Sequence, residues 1–450
     1  MSNFRPINRD TGFLLPPSVD EWLPQRHLAR FVVEVIDRLE LSELEKSYRG
    51  SGSASYHPAM LLGLLIYGYA TRVFSSRALE RATYDSVAFR FIAGNDHPDH
   101  DTIAAFRKRF IGHIGALFVE VLKLARAMGM LKLGTVALDG TKVHANASRH
   151  SARSYGHAGK IEKKLKREVQ QLLELAERAD AADIPDGMSI PEELERRETR
   201  LAAIAEAKAK IQARVEEREQ GEYQAKLAGR DEKQRRTGKK PGGRPPAPPS
   251  GGVQAKEQIN LTDEDSRIMP VAGGGFDQSY NAQAVVAVGS LLVVASEVTQ
   301  AANDKQQLAP MIGKLKALPK QLGRARRVLA DSGYLSEANV EGCAAAGLEP
   351  LIALKRERHH QGWRQRFAAA PQPPPDSATP MQKMAHRLKT PRGRKLYALR
   401  KQTPEPVFGI VKSVMGFRPF LLRGFQNVQG EWSLVTMSWN LKRMFALQLC

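Results

Sequence analysis

TVALDGTKVHANAS, from Thr135 to Ser148, is where the chain changes character. Val136–Leu138 is an apolar run that predicts a buried strand, ending on Asp139 with a turn at Gly140. A carboxylate at the end of a buried strand is costly unless it is paired or holds a cation. Asp-Gly is also a natural hairpin turn, so this stretch alone leaves a site and a turn about evenly matched. His144, a little further on, reads as a phosphate contact or a plain surface residue.

Upstream of Thr135 the periodicity is helical. Leu28, Phe31, Val32, Val35 and Ile36 recur at helical spacing, as do Leu61, Leu62, Leu65 and Ile66. Arg72, Arg77, Arg81, Arg90, Arg107, Lys108 and Arg109 give this all-α region a basic side compatible with helix-turn-helix docking on DNA. His97, His100 and Asp101 read as a polar turn capping the next helix rather than as metal ligands.

The whole chain of 450 residues is basic, with a formal charge of +20. An excess of that size points to a polyanionic partner, nucleic acid first. Two cysteines, Cys343 and Cys450, exclude a disulfide framework and a cysteine-based metal site. The first residues lack a signal-peptide pattern. The longest apolar run, Ala59–Ala70, is too short to span a bilayer. A cytoplasmic, nucleoid-associated protein without membrane contact is expected.

Downstream, residues from about 157 to 222 read as two long charged helices. They carry apolar stripes at Ile161, Leu165, Val169, Leu172 and at Leu201, Ile204, Ile211, Val215. A break at Pro185–Gly187 and a capping box of Ser189 with Glu192 make this an inserted hairpin. Glu232–Gly252 is a basic Pro/Gly linker in which Arg244 hints at minor-groove insertion. Strands return at Asn260–Met269 and in SYNAQAVVAV and SLLVVASEVTQ, a hairpin turning at Gly289-Ser290. A helix capped by Asn303 follows, then a strand, Val328–Ala330, ending on Asp331, a helix and one more short strand. His359–Pro391 reads as irregular.

TPEPVFGIVKSVMGFRPFLLRG, Thr403–Gly424, then opens a helix with Thr403 as N-cap and Glu405 in its first turn. At i, i+4 and i+7, Glu405, Gly409 and Lys412 share one face. A first-turn acid is by itself ordinary helix-dipole chemistry. With the insertions set aside, however, strands ending on carboxylates bring Asp139 and Asp331 to one sheet edge, and a helix across that edge adds Glu405. Three such oxygens suit Mg²⁺ or Mn²⁺, as two ions, for in-line phosphodiester hydrolysis and transesterification. Among rival acids, Glu337 and Glu341 read as a solvated face, Asp304 as first-turn chemistry, and Asp263 and Asp265 as turn residues.

These stretches as a set resemble the bacterial insertion-sequence transposases that have an RNase H-like core and an Asp-Asp-Glu triad. The resemblance runs nearly end to end. It takes in Tyr56–Glu80, Pro98–Phe110, VALDGTKVHANAS, NLTDEDSRIM with YNAQAVV, ADSGYLSEAN, Thr403–Gly424 and GEWSLVTMSWNLKRM. It implies Asp139, Asp331 and Glu405 as the catalytic, metal-binding triad. Tyr397, Arg400 and Lys412 match the Tyr and Arg before the Glu and the Lys after it, with Arg400 one residue further from Glu405 than in the commoner signature. Arg107, Lys108 and Arg109 are further candidates for DNA contact.

The expected fold is α/β. An RNase H-like mixed sheet flanked by helices occupies residues 131–155 and 258–450, with an all-α DNA-binding domain at 1–130 and an inserted hairpin and linker at 156–257. The expected function is binding of terminal inverted repeats, divalent-metal-dependent DNA cleavage and strand transfer into target DNA by a homodimer. The alternatives are an RNase H-like nuclease without strand transfer, or an inactive DNA-binding repressor.

Overall fold

A computed structural model of the chain describes residues 18–48, 55–178, 189–271, 273–354 and 372–449. Its centre is a six-stranded mixed sheet in the order β4-β5-β1-β7-β8, with β6 paired to β5. The strands are β1 (Thr135–His144), β4 (Arg267–Pro270), β5 (Phe276–Ala287), β6 (Val293–Thr299), β7 (Arg327–Ala330) and β8 (Glu349–Ile352). A separate two-stranded ribbon joins β2 (Ala152–Ser154) to β3 (Gln258–Asn260). β1 runs antiparallel to β5 and parallel to β7, and β7 runs parallel to β8.

Each sequence run makes its element for a local reason. β5 is buried on both faces along nearly its whole length, as a central strand sandwiched by helices must be. The hairpin from β5 to β6 forms as expected, with Leu291 in the left-handed region at φ 63° closing the turn. A register shift at Val285/Val286 leaves backbone groups that side chains of one helix satisfy. That helix, Phe425–Gln448, lies against β6 and carries Trp432, whose Nε1 donates to Gln283 O at 3.0 Å. Its Asn440 both donates to Val293 O and accepts from Val293 N, each at 2.8 Å.

The same helix joins the N-terminal helices to the sheet. Among the helices that precede β1 are α1 (Leu28–Ile36), α2 (Pro58–Ala70), α3 (His100–Phe110) and α4 (Ile114–Ala127). α2 is apolar all round and buried almost throughout, the pattern of a helix inside a core. It and α4 pack on Phe425–Gln448. Gly430 permits the approach, since a Cβ there would lie 2.5 Å from Ile111 Cγ1 and 2.8 Å from Ile111 O. At this junction Glu431 is fully buried and accepts from Tyr69 Oη at 2.6 Å and from the N–H groups of Leu421 and Leu422 at 3.0 Å. Burial raises its pKa against those hydrogen bonds.

The described residues form two compact units, one from Met1–Asn146 with Ile268–Cys450 and one from Ala147–Arg267. Taken by itself, the second holds α5 (Tyr155–Arg178) and α6 (Ile190–Thr237) side by side. Ion pairs Glu162–Lys208 at 2.7 Å and Glu168–Arg197 at 3.0 Å fix them antiparallel. Ala158, Leu165 and Ile204 form one apolar patch of the seam, and Ala207, Ile211, Val215 and Ile259 another.

Several expectations are corrected. β1 does not stop at Asp139: it runs on through Gly140 to His144, paired with β5 the whole way. The helix expected from Asn303 starts at Leu308, α7 (Leu308–Ala317), so Asp304 precedes it. α8 (Glu337–Ala345) follows β7. The stretch expected to be irregular holds α9 (Pro380–Lys389), which opens on a full capping box of Thr379 and Gln382; Pro380 suits the first helical turn rather than breaking a helix. α10 (Pro391–Ala398), α11 (Pro404–Gly409) and α12, the helix Phe425–Gln448, complete the chain. Ser189 sits at the α6 N-cap without a side-chain cap bond. The break at Pro185–Gly187, Cys450 and the first part of the stretch from His359 lie outside the described residues.

Candidate active site

Parallel pairing brings two of the three acids together. The register Val136↔Val328 and Ala137↔Leu329, continued two residues, sets Asp139 on β1 level with Asp331 just past the end of β7. By strand alternation both lie on the sheet face that carries Ala137 and Leu329. There Ala137, Leu329 and Leu351 form an apolar floor against which Leu396, Tyr397 and Leu399 pack. Asp331 caps the following turn, accepting from Gly333 N at 2.8 Å. Asp139 accepts from Gly140 N at 2.9 Å.

Arg400 connects this pair to the third acid. Its side chain is 10% exposed, and it donates from Nη1 to Asp139 Oδ2 at 3.3 Å and from Nη2 to Glu405 Oε1 at 3.0 Å. Burial opposes its charge, but Asp139, Tyr397, Glu405 and Asp331 together raise its pKa above the ordinary value. Its Nε is buried with no partner among the described residues. Asp139 is pushed up to about 7: burial is the largest cause, Arg400 works against it, and Asp331 and Asp304 add to it. Glu405 stands in the first turn of α11, its side chain half exposed.

Two details of the Glu405 helix differ from the sequence reading. Thr403 occupies the N-cap position, but its hydroxyl donates to Leu399 O at 2.7 Å and caps nothing. Ile410–Val414 then winds as a π-helix, where the sequence reads as one continuous α-helix from Thr403. Lys412 Nζ reaches β1, donating to Thr141 Oγ1 at 2.6 Å and Lys142 O at 2.7 Å. Burial, then the neighbouring Lys142, lowers its pKa.

The opposite face of β1 holds a polar network that sequence reading missed. Asn281 Nδ2 and Gln283 Nε2 each donate to Asp304 Oδ1 at 2.7 Å, Tyr334 Oη donates to Gln283 Oε1 at 2.5 Å, and Lys142 Nζ lies 3.6 Å from Asp304 Oδ1. Gly140 leaves room for it, since a Cβ there would fall 2.1 Å from Gln283 Nε2. The signal was present in YNAQAVV, where Asn281 and Gln283 interrupt an apolar strand at alternate positions. Asp304, expected in a first helical turn, precedes a helix that starts only at Leu308.

The basic N-terminal candidates divide. Arg107 donates to Phe74 O at 3.1 Å and Tyr69 Oη at 3.4 Å, inside the helical core. Arg109 bonds Ser47 O and lies over the Tyr48 ring. Lys108 is exposed. Arg72 caps the end of the Lys412 helix, donating to Ser413 O and Val414 O. The His97–Asp101 turn is a cap, as read: Asp99 accepts from Thr102 N at 2.8 Å, and His100 pairs with Glu80. His144 pairs with Asp277 at 3.3 Å.

Among the described residues no group of three His, Cys, Asp or Glu side chains is placed to hold a metal ion. Hard carboxylate oxygens are nonetheless the donor type that a divalent cation takes. Burial, with Asp331 and Asp304 adding to it, disfavours the Asp139 anion, and the Arg400 guanidinium supplies positive charge between Asp139 and Glu405.

A mixed sheet of this order, flanked by helices, with acids leaving adjacent parallel strands, is the architecture of an RNase H-like α/β protein. Sequence-family matches carry the assignment further. Residues 17–109 match the Transposase domain (DUF772), and residues 258–441 match the Transposase DDE domain. The chain belongs to the insertion-sequence DDE transposases. No curated protein and no solved structure matches it. No helix among the described residues is long and apolar enough to cross a membrane.

Proposed function

We propose that this transposase binds the terminal inverted repeats of its own element, hydrolyses the DNA at the element end to free a 3′-hydroxyl, and uses that hydroxyl to attack target DNA. Asp139, Asp331 and Glu405 are the residues that hold Mg²⁺ or Mn²⁺, in a site for two ions. When bound, such ions activate the attacking oxygen and stabilise the leaving one.

The observation that carries this reading is Arg400 spanning Asp139 and Glu405. Acids far apart in sequence share one buried cation beside the Asp331 turn, so their charges are managed as one group. Arg400 and Tyr397 border that group, and Arg400 neutralises it when no other cation is present. Lys412, anchored on β1 by Thr141, sits where a phosphate oxygen entering beside Asp139 meets an ammonium. Lys108 on the exposed side of α3 contributes to DNA contact; Arg107 and Arg109 support the helices that present it. Both element ends must be held at once, which a DNA-bound homodimer does, working in the cytoplasm on the nucleoid.

Incubating the protein with duplex carrying the ends of its own element and Mg²⁺ tests the reading. Joined products are the expected result. Nicks without joining identify a nuclease, and a shifted but uncut duplex identifies a DNA-binding repressor; either contradicts the proposal.

A further inference from the structure

The second unit holds a feature that the acidic centre does not use. The apolar seam between α5 and α6 ends at Val215, and none of the later residues of α6 whose burial is described is buried. From Glu216 to Thr237 the helix nonetheless continues, a run of about 33 Å at 1.5 Å per residue. Burial cannot be what maintains it.

Its end is built rather than frayed. Gly238, at φ 65°, closes the helix in the left-handed conformation, its N–H bonding Gln234 O at 2.8 Å. The following Pro/Gly-rich chain folds back along the helix. Arg230 donates to Pro241 O at 2.9 Å and Gly243 O at 3.3 Å, and Glu219 accepts from Ser250 N at 3.1 Å and Gly251 N at 3.4 Å.

Charge separates this tip from its base. Residues 157–225 carry 13 Lys and Arg against 16 Asp and Glu, whereas residues 226–244 carry eight against two, Asp231 and Glu232. At the base the charges pair off, as in Glu162 with Lys166 and Lys208, or Glu206 with Lys210. From Arg230 to Arg244 the described residues make no ion pair, and Lys233, Arg235, Lys239, Lys240 and Arg244 are exposed. A solvated helix face alternates its charges; a run of one sign on a clamped tip repels itself and is stabilised by a polyanion.

We propose that this tip is a DNA-gripping arm, contacting the phosphates of duplex DNA over about one helical turn (~34 Å). The inference rests on duplex DNA being the protein's substrate, but not on the acidic triad. Its contacts are to backbone charge, so it adds affinity without sequence preference.

The test uses the full chain and a mixed-sequence duplex of roughly 40 base pairs, with affinity measured by fluorescence anisotropy across a salt series. Each phosphate contact contributes about 0.9 to the slope of log affinity against log salt. The variant Lys233→Gln/Arg235→Gln/Lys239→Gln/Lys240→Gln/Arg244→Gln is expected to bind at least tenfold more weakly in low salt. Its slope should be shallower by roughly 4, with an unchanged melting profile. A base variant, Lys163→Gln/Lys164→Gln/Lys166→Gln, should keep the wild-type slope. Equal slopes for wild type and tip variant, or an equal loss in the base variant, overturn the arm while leaving the DNA reading standing. Failure of the wild type to bind any duplex overturns the DNA reading itself. Tighter, tip-dependent binding to an RNA duplex of the same length overturns the assignment to DNA.

Discussion

Asp139→Asn should abolish DNA cleavage and yet make the metal-free protein more stable in mild alkali. The Asp139 carboxyl is pushed up to about 7 from its ordinary 3.8 because burial, with repulsion from Asp331 and Asp304 added, outweighs Arg400. A shift of three units corresponds to about 4 kcal/mol. The folded carboxyl holds its proton more tightly than the unfolded one. The neutral acid therefore costs the fold nothing at low pH, and stability falls as pH rises from about 4 through 7. Asparagine keeps the shape and removes the titration. Melting midpoints measured from pH 5 to pH 8 in chelator should fall in the wild type, by on the order of 5 °C, and fall less in the variant. Buried Glu431 titrates in the same direction, so the difference between the two proteins isolates Asp139. Adding Mn²⁺ at pH 8 should raise the wild-type midpoint and leave the variant nearly unmoved. Parallel pH profiles for the two proteins would refute the reasoning.

Other expectations follow from single contacts. Gly140→Ala drives a methyl into Gln283 and Asp304 and should cost about 1–3 kcal/mol; adding Gln283→Ala should recover much of it, read by thermal melts of the double-mutant set. Glu431→Ala strands the Tyr69 hydroxyl and two buried N–H groups at the helix–sheet junction, a loss of about 3 kcal/mol or more visible in denaturant unfolding. Lys412→Ala should lower end-DNA cleavage at least tenfold with a midpoint change of roughly 2 °C or less, since it removes the ammonium held by Thr141 Oγ1 and Lys142 O but no packed core.

Much of the architecture was legible because it rests on local pattern. The apolar stretches in SYNAQAVVAV and SLLVVASEVTQ, and the apolar runs ending near Asp139 and Asp331, are enough to place the strands. What sequence reading missed is non-local. Gly140 looked like a turn because Asp-Gly commonly turns chains, yet here a long antiparallel partner keeps the strand extended and uses the missing side chain as space for Gln283. Asp304 looked like helix chemistry because Asn303 is a good cap, while its carboxylate is recruited by Asn281 and Gln283 from another strand. The π-helix at Ile410–Val414 had no local signature. Arg72 and Arg107 read as a basic surface, but their partners are backbone carbonyls, at Ser413 and Val414 for one and at Phe74 for the other.

The central claim is that Asp139, Asp331 and Glu405 hold divalent metal jointly. Calorimetric titration of Mn²⁺ into the wild type, Asp331→Asn and Glu405→Gln tests it most directly. The account predicts binding to the wild type that weakens at least tenfold in each single variant, with little further loss when both are combined, as expected of residues acting as one site. Wild-type Mn²⁺ affinity in either variant would contradict it.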